Sequence, residues 1–211
     1  GLAKAHAAGV VHRDVKPSNI LLVEGDPART KLIDFGVART GGRTKHLTTT
    51  GQFVGTAGYM APEQIVGDRD VDARADVFSL GCVLFEALTG RPAFPGDSII
   101  AVLAKVLKDD PPRASELEPR TPRALDDLVA SMLAKKPGDR PDDAGRVAEL
   151  LRLVEESGDA ADLTLPRVRV SVTGREQRLV SAILVALAPG GRLPAEALQR
   201  AAEVGAERTE V

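Results

Sequence analysis

The chain has 211 residues, of which 43% are hydrophobic and 27% are charged, as in an ordinary globular protein. Its formal net charge of −2 gives no reason to expect nucleic acid or an anionic membrane surface as a partner. The single cysteine, Cys82, excludes an intrachain disulfide framework and is predicted to pack as a small buried hydrophobe. With no signal-peptide pattern and no apolar run near the ~18 residues of a membrane span, we expect a cytoplasmic chain without a membrane span.

The first part of the chain predicts a helix, a polar loop and a hairpin. Residues 1–9 read as the last turns of a helix closed by Gly9 at its C-terminus. Since the chain starts inside that helix, we expect it to be a fragment of a longer domain. Short apolar runs at 20–23 and 31–33, with turn residues between them, predict a hairpin. Residues 39–58 are polar and lack hydrophobic periodicity, which is typical of a functional loop.

The second part of the chain predicts a helical bundle. Residues 76–88 are apolar on nearly all sides, which indicates a buried central helix. Amphipathic helices follow, separated by proline-rich turns, and their predicted ranges are 98–107, 123–134 and 143–154. A linker is predicted at 158–166. Alternating basic and apolar residues at 167–172 indicate a strand, so 167–211 is predicted to begin a second unit after a first domain of 1–157.

Three motifs carry the chemical signal. The first is His-Arg-Asp-Val-Lys-Pro-Ser-Asn at 12–19, the second is Asp-Phe-Gly at 34–36, and the third is Ala-Pro-Glu at 61–63. Their order and spacing resemble the catalytic loop, the metal-binding motif and the end of the activation segment of bacterial eukaryotic-like (Hanks-type) Ser/Thr protein kinases. The resemblance covers roughly residues 1–155. It implies a mainly helical α+β fold, namely the large lobe of a protein kinase with a small hairpin beside its active site.

The resemblance assigns roles that suit phosphoryl transfer, a reaction that depends on positioning and charge neutralisation. Asp14 is the expected base for the substrate hydroxyl, and Lys16 places a cation near the moving phosphoryl group. Asn19 and Asp34 offer the hard oxygen ligands that Mg²⁺, or Mn²⁺ in its place, prefers. The hairpin between Asn19 and Asp34 is expected to turn both ligands toward one cleft. ATP and protein substrates are the implied partners.

Residues of the loop at 12–19 and of the activation segment refine this interpretation. In the family, a Thr at the position of Thr56 bonds to the catalytic Asp and Lys and shapes the substrate pocket. Together with Lys16, it indicates specificity for Ser and Thr. An Arg placed as Arg13 often pairs with a phosphorylated residue, which here implies autophosphorylation at Thr48 and Thr50. For both threonines, an ordinary polar loop is an equally good interpretation.

Other matched residues have an expected architectural role. Asp76 is expected to open the buried helix and to hold the backbone of the catalytic loop. Glu63 and Arg140 resemble the buried ion pair that ties the activation segment to the later helices. His12 is expected to pack beside the site, and His6 is expected to be solvated.

Two parts of a complete kinase are missing from the sequence. It contains no Gly-x-Gly-x-x-Gly loop, and no strand with an ATP-pairing Lys precedes His12. We therefore expect that the chain lacks the ATP-gripping small lobe, that it requires this lobe, and that it is inactive alone although its full-length parent is active. The alternatives are a pseudokinase and a non-catalytic signalling scaffold. Matches at Asp14, Asn19 and Asp34 favour the active enzyme.

The tail carries a weaker resemblance. Residues 174–188 are similar to the opening strand of a class III nucleotide cyclase domain. Ala186 stands where that family has a metal-binding Asp, which implies a degenerate, regulatory domain. An unrelated strand after a linker is the alternative.

Overall fold

The computed structural model describes residues 1–25, 29–35 and 56–156. Several predictions fall outside these residues: the phosphorylation sites Thr48 and Thr50, the linker at 158–166 and the second unit at 167–211. Within the described ranges, a two-stranded sheet accompanies a set of helices. None of these helices combines the length and the apolar character that crossing a bilayer requires.

The elements follow the predicted order. The helices are α1 (Leu2–Ala7), α2 (Pro62–Val66), α3 (Ala73–Thr89), α4 (Ile99–Lys108), α5 (Ala114–Leu117), α6 (Arg123–Met132) and α7 (Ala144–Glu156). The strands are β1 (Ile20–Leu22) and β2 (Thr30–Leu32). The predicted hairpin is confirmed, as are the predicted long helices. The short helices α2 and α5 were not predicted.

Helix α3 is the centre of the core. It packs against α5, α6 and α7, and its largest side chains, Phe78 and Phe85, are fully buried. It begins at Ala73, because the side chain of Asp72 accepts a hydrogen bond from the Arg74 N–H at 2.9 Å and so caps the helix. The expectation that Asp76 opens this helix is therefore wrong by one turn.

A close approach of α3 and α6 depends on one glycine. A Cβ atom added at Gly81 would lie 2.9 Å from the Cβ of Met132, which is shorter than real side chains tolerate. Cys82, the next residue, is buried as predicted. Burial raises the pKa of its thiol, so the residue stays a neutral packing group.

The hairpin is placed on α3 by its apolar side. Its strands are antiparallel, with Ile20 opposite Leu32, and the buried side chain of Ile20 packs with Val83 of α3. Helix α1 ends just before Gly9, whose φ of +73° suits a residue without a Cβ. The polar loop at 12–19 therefore runs between two elements that are anchored on the helical body.

Candidate active site

The backbone of the loop at 12–19 is held by a buried carboxylate from α3. Asp76 accepts hydrogen bonds from the backbone N–H of His12 at 2.6 Å and from that of Arg13 at 2.7 Å. Its side chain is 0% exposed, and a buried carboxylate is stable only when donors surround it. The structure thus brings Asp76 to the place that the sequence analysis expected.

Asp14, Lys16 and Asn19 meet at the surface of this loop. The Oδ2 atom of Asp14 lies 2.9 Å from Nζ of Lys16 and accepts a hydrogen bond of 2.9 Å from Nδ2 of Asn19. The same Nδ2 donates to the backbone carbonyl of Asp14 at 2.8 Å. Asn19 is buried, whereas the side chain of Asp14 is 26% exposed. The carboxylate is therefore fixed in orientation and still open to a second molecule.

The hairpin brings Asp34 back to this loop. The N–H of Ile33 donates to the backbone carbonyl of Asn19 at 2.9 Å, which extends the pairing of the strands by one step. Asp34 follows directly, with a left-handed φ of +55° and an exposed side chain. Since Asn19 uses its amide nitrogen on Asp14, its amide oxygen is the atom suited to bind a cation.

The donor set fits a magnesium ion better than a metal held by protein alone. Among the described residues, no group of three or more His, Cys, Asp and Glu side chains could enclose a metal ion. Magnesium commonly binds one or two protein oxygens and completes its shell with phosphate and water. One amide oxygen from Asn19 and one carboxylate from Asp34 match that requirement.

His12 joins the loop to the end of β2. Its side chain is fully buried, and its ring centroid lies 4.5 Å from that of Phe35, as expected of a packing residue. It also bonds through both ring nitrogens. Nδ1 accepts from the N–H of Asp14 at 3.3 Å, so Nε2 carries the proton and donates to the carbonyl of Ile33 at 3.1 Å.

A buried ion pair ties α2 to the turn before α7. Arg140 donates from Nη1 and Nη2 to the two carboxylate oxygens of Glu63, at 2.6 and 3.0 Å. Its remaining donors go to backbone carbonyls, which are those of Arg74, Ala134 and Lys135. The pair is buried and fully hydrogen-bonded, which is the condition under which a buried ion pair is tolerated.

Two further predicted residues are Thr56, which precedes the Ala-Pro-Glu motif, and Arg13 of the loop at 12–19. Within the described part of the chain, no hydrogen bond joins the Thr56 side chain to Asp14 or Lys16, and Oδ2 of Asp14 is bound by Lys16 and Asn19. Arg13 has a φ of +64°. Its Nε atom is buried and has no hydrogen-bond partner among the described residues.

The expectation that His6 is solvated is wrong. Its side chain is 1% exposed, and Nε2 lies 3.0 Å from Oδ2 of Asp76. Its Nδ1 accepts a hydrogen bond of 3.0 Å from the N–H of Ala144, the first residue of α7. No local pattern could have revealed these contacts, since the partners lie 70 and 138 positions away.

Gln64 is the second residue that the sequence analysis missed. It accepts from the N–H of Ala61 and donates to the carbonyl of Arg13. A Gln three residues after the N-cap residue of a helix, here Ala61, is a known capping pattern. That pattern could have predicted the bond with Ala61, but not the bond with Arg13.

Comparison with known proteins decides the family. The family model described as protein kinase domain matches residues 1–151. This chain belongs to the protein kinase family. Its relatives include the serine/threonine-protein kinase PknL of Mycobacterium tuberculosis, which is 44% identical over 170 residues, covering 81% of this chain and 40% of PknL.

Other bacterial relatives of this kinase chain agree. The serine/threonine-protein kinase PknD of Mycobacterium tuberculosis is 49% identical over 148 residues, which cover 70% of this chain and 22% of PknD. PknB of Mycolicibacterium smegmatis is 43% identical over 160 residues, covering 75% of this chain and 25% of PknB. The chain thus spans less than half the length of these relatives.

Proposed function

We propose that this chain is the large-lobe part of a bacterial protein kinase that transfers the γ-phosphoryl group of ATP to Ser and Thr hydroxyls of proteins. The observation that carries the proposal is the contact of Asp14 with Lys16 and Asn19 on a loop held by Asp76. A carboxylate held in this way is preorganised, so it needs no rearrangement before it can act.

Asp14 has the geometry of a general base. Lys16 and Asn19 both bind its Oδ2 atom, and Oδ1 is therefore the oxygen assigned to the substrate hydroxyl. Asp14 orients that hydroxyl toward the phosphorus atom and accepts its proton as the new P–O bond forms and the bond to ADP breaks. Lys16, whose ammonium lies 2.9 Å from Asp14, stabilises negative charge on the transferring group.

Asn19 and Asp34 are the residues assigned to magnesium, or to manganese in its place. A divalent cation bound there neutralises phosphate charge and orients the nucleotide. The support from this chain is the amide of Asn19, which is buried and turned by its two bonds to Asp14. The exposed carboxylate of Asp34 at the end of the hairpin is the second support.

Regulation by phosphorylation is part of the proposal. The buried Nε of Arg13 has no hydrogen-bond partner among the described residues, and a phosphate brings strong acceptor oxygens to such a donor. We assign Arg13 as the residue that binds phosphorylated Thr48 or Thr50. Thr56 is assigned to the substrate pocket.

A second lobe is expected to complete the site. Large apolar side chains are exposed near the loop, and these are Leu21 at 39%, Ile33 at 37% and Phe35 at 36%. A small lobe packed there would cover them and would supply the groups that grip ATP. Residues 167–211 are assigned to a further unit, because the family match ends at residue 151. A cytoplasmic location is our expectation for a chain with one buried, unpaired thiol.

The test is phosphorylation with radiolabelled ATP by the full-length protein. It is compared with the variant Asp14→Asn, with the matched surface variant Asp97→Asn and with the 211-residue chain alone. We expect Asp14→Asn to lose about 100- to 10,000-fold in rate, the range for removal of a general base. Asp97 is exposed, so its variant should keep full activity, and the 211-residue chain should have little or none.

The possible outcomes separate the candidate functions. Incorporation on Ser and Thr by the full-length protein that disappears in Asp14→Asn and persists in Asp97→Asn supports the active kinase. A full-length protein that incorporates no phosphate with Mg²⁺ or Mn²⁺ and generic acceptors would support the pseudokinase. Strong activity of the 211-residue chain would contradict the requirement for a small lobe.

A further inference from the structure

Gln64 of α2 links two segments that are 51 positions apart in the chain. Its side-chain oxygen Oε1 accepts a hydrogen bond of 3.0 Å from the N–H of Ala61. Its side-chain nitrogen Nε2 donates a hydrogen bond of 3.0 Å to the backbone carbonyl of Arg13. One half-buried amide therefore joins the start of α2 to the residue that directly precedes Asp14.

The bonded carbonyl belongs to the peptide plane that leads to Asp14. The other end of this plane, the N–H of Asp14, donates to Nδ1 of His12 over a long 3.3 Å. The bond from Gln64 is shorter by 0.3 Å, as the two distances of 3.3 and 3.0 Å show. Gln64 is thus the stronger of the two constraints on the orientation of this plane.

The plane requires a constraint because Arg13 has an unfavourable backbone conformation. Its φ of +64° lies in the left-handed region, which residues with a side chain adopt only when the surroundings enforce it. Asp76 holds the N–H of Arg13, and Gln64 holds its carbonyl. A rotation about Arg13 would carry the side chain of Asp14 away from Lys16 and Asn19.

A capping role alone does not account for both bonds. Closing the first turn of α2 requires only an acceptor for the N–H of Ala61, which Oε1 provides. The second bond uses the opposite, donating end of the amide and contacts a different segment. A Glu at this position could make the first bond and not the second.

We propose that Gln64 is a positioning residue for Asp14, which couples the start of α2 to the orientation of the catalytic loop. The inference rests on the proposed kinase function. It predicts that loss of the donor at position 64 lowers turnover more than it lowers stability or the affinity for ATP.

The experiment compares Gln64→Glu and Gln64→Met in the full-length protein. Gln64→Glu keeps the size of the side chain and the acceptor for Ala61 but loses the donor to Arg13. Gln64→Met keeps the length and loses both bonds. We expect both variants to lose about 10- to 100-fold in kcat, the effect of a displacement of about 1 Å at a reacting group. The KM for ATP should change less than about twofold, since a lost positioning contact acts on turnover.

Hydrogen exchange supplies a readout that is independent of activity. In both variants, we expect faster exchange in peptides that cover residues 12–15 and no change in peptides that cover α6. A wild-type protein without kinase activity would contradict the proposed function, and the exchange measurement would then decide the inference on its own.

The pattern of results separates the possible explanations. Reduced kcat in both variants, with faster exchange at 12–15, supports the inference. Reduced kcat in Gln64→Met alone would show that capping is the whole role, and reduced kcat in Gln64→Glu alone would indicate an effect of the new charge. Either result, or unchanged kcat and exchange in both variants, would overturn the proposal.

Discussion

The loop at 12–19 and the helical body on which it lies hold their charged groups in opposite ways. On the loop, Asp14 and Lys16 are 26% and 19% exposed, and Arg13 has a left-handed backbone. In the body, Glu63 and Arg140 are buried with good hydrogen-bond geometry. A reacting side chain must remain accessible to substrate. Its orientation therefore has to be fixed by contacts with a neighbouring region from which water is excluded.

Only a few of the described side chains connect the loop at 12–19 to the helical body. Asp76 of α3 and Gln64 of α2 bind the backbone of the loop. His6 of α1 forms a hydrogen bond with the side chain of Asp76. Changes on the loop should therefore lower activity with little loss of stability. Changes in the body should lower stability first.

The largest effect on stability is expected from breaking the buried ion pair. Arg140→Leu leaves Glu63 buried without its partner, which should lower the free energy of unfolding by about 3–5 kcal/mol. Urea denaturation of the 211-residue chain measures the loss. Arg69→Leu is the control, because Arg69 is exposed.

A double variant sharpens this test. Glu63→Leu combined with Arg140→Leu removes both charges and should recover part of the loss, since burial of two apolar side chains avoids the unpaired carboxylate. A single variant that loses less than about 1 kcal/mol would mean that this pair behaves like an exposed one, and the contrast between the two regions would fail.

A smaller effect is expected at the contact between α1 and α7. His6→Leu leaves the N–H of Ala144 buried without an acceptor and removes one bond to Asp76, at a cost of about 1–3 kcal/mol. His6→Asn can keep the acceptor for Ala144, and His6→Gln can keep the donor to Asp76. Both should lose less stability than His6→Leu in urea denaturation. Lys4→Leu on the exposed side of α1 is the control, and an equal loss there would contradict the assigned contacts.

Local patterns predicted the parts of the fold that local interactions determine. The hairpin followed from two apolar runs around turn residues, and α4, α6 and α7 followed from their periodicity. Helices α2 and α5 have five and four residues, which is too short for a 3.6-residue period to be visible. Asp14 and Asp34 could be proposed as site residues from the sequence because their motifs are short and follow one another in a fixed order along the chain.

The missed contacts join residues that are distant in sequence. His6 reaches Asp76 and Ala144, and Gln64 reaches Arg13, across 51 to 138 positions. Nothing in the neighbouring residues encodes such pairs, because they depend on how the helices pack. The expected bond from Thr56 to Asp14 is absent among the described residues, where Asn19 and Lys16 bind Oδ2 of Asp14.

Lys135 contrasts with the buried ion pair of the helical body. Its Nζ atom is buried without a hydrogen-bond partner among the described residues, and it lies 4.2 Å from the ring centroid of Phe94. Burial lowers the pKa of Lys135, partly opposed by the carboxylates of Asp110 and Asp109. Unlike Glu63 and Arg140, this buried cation has no carboxylate in ion-pair contact among the described residues.

The sign of the pH effect follows from this shift. Between the lowered pKa in the folded chain and the usual value of 10.5, the unfolded chain binds more protons at Lys135, so stability rises with pH. Subtracting the unfolding free energy of Lys135→Met isolates that group, because its neighbours titrate alike in both proteins. We expect the difference, wild type minus variant, to grow from pH 7 to pH 10 in urea denaturation. A difference that is constant over this range would mean that solvation or the Phe94 ring fully compensates the cost of burying the Lys135 ammonium. The contrast between this buried cation and the hydrogen-bonded pair of Glu63 and Arg140 would then not hold.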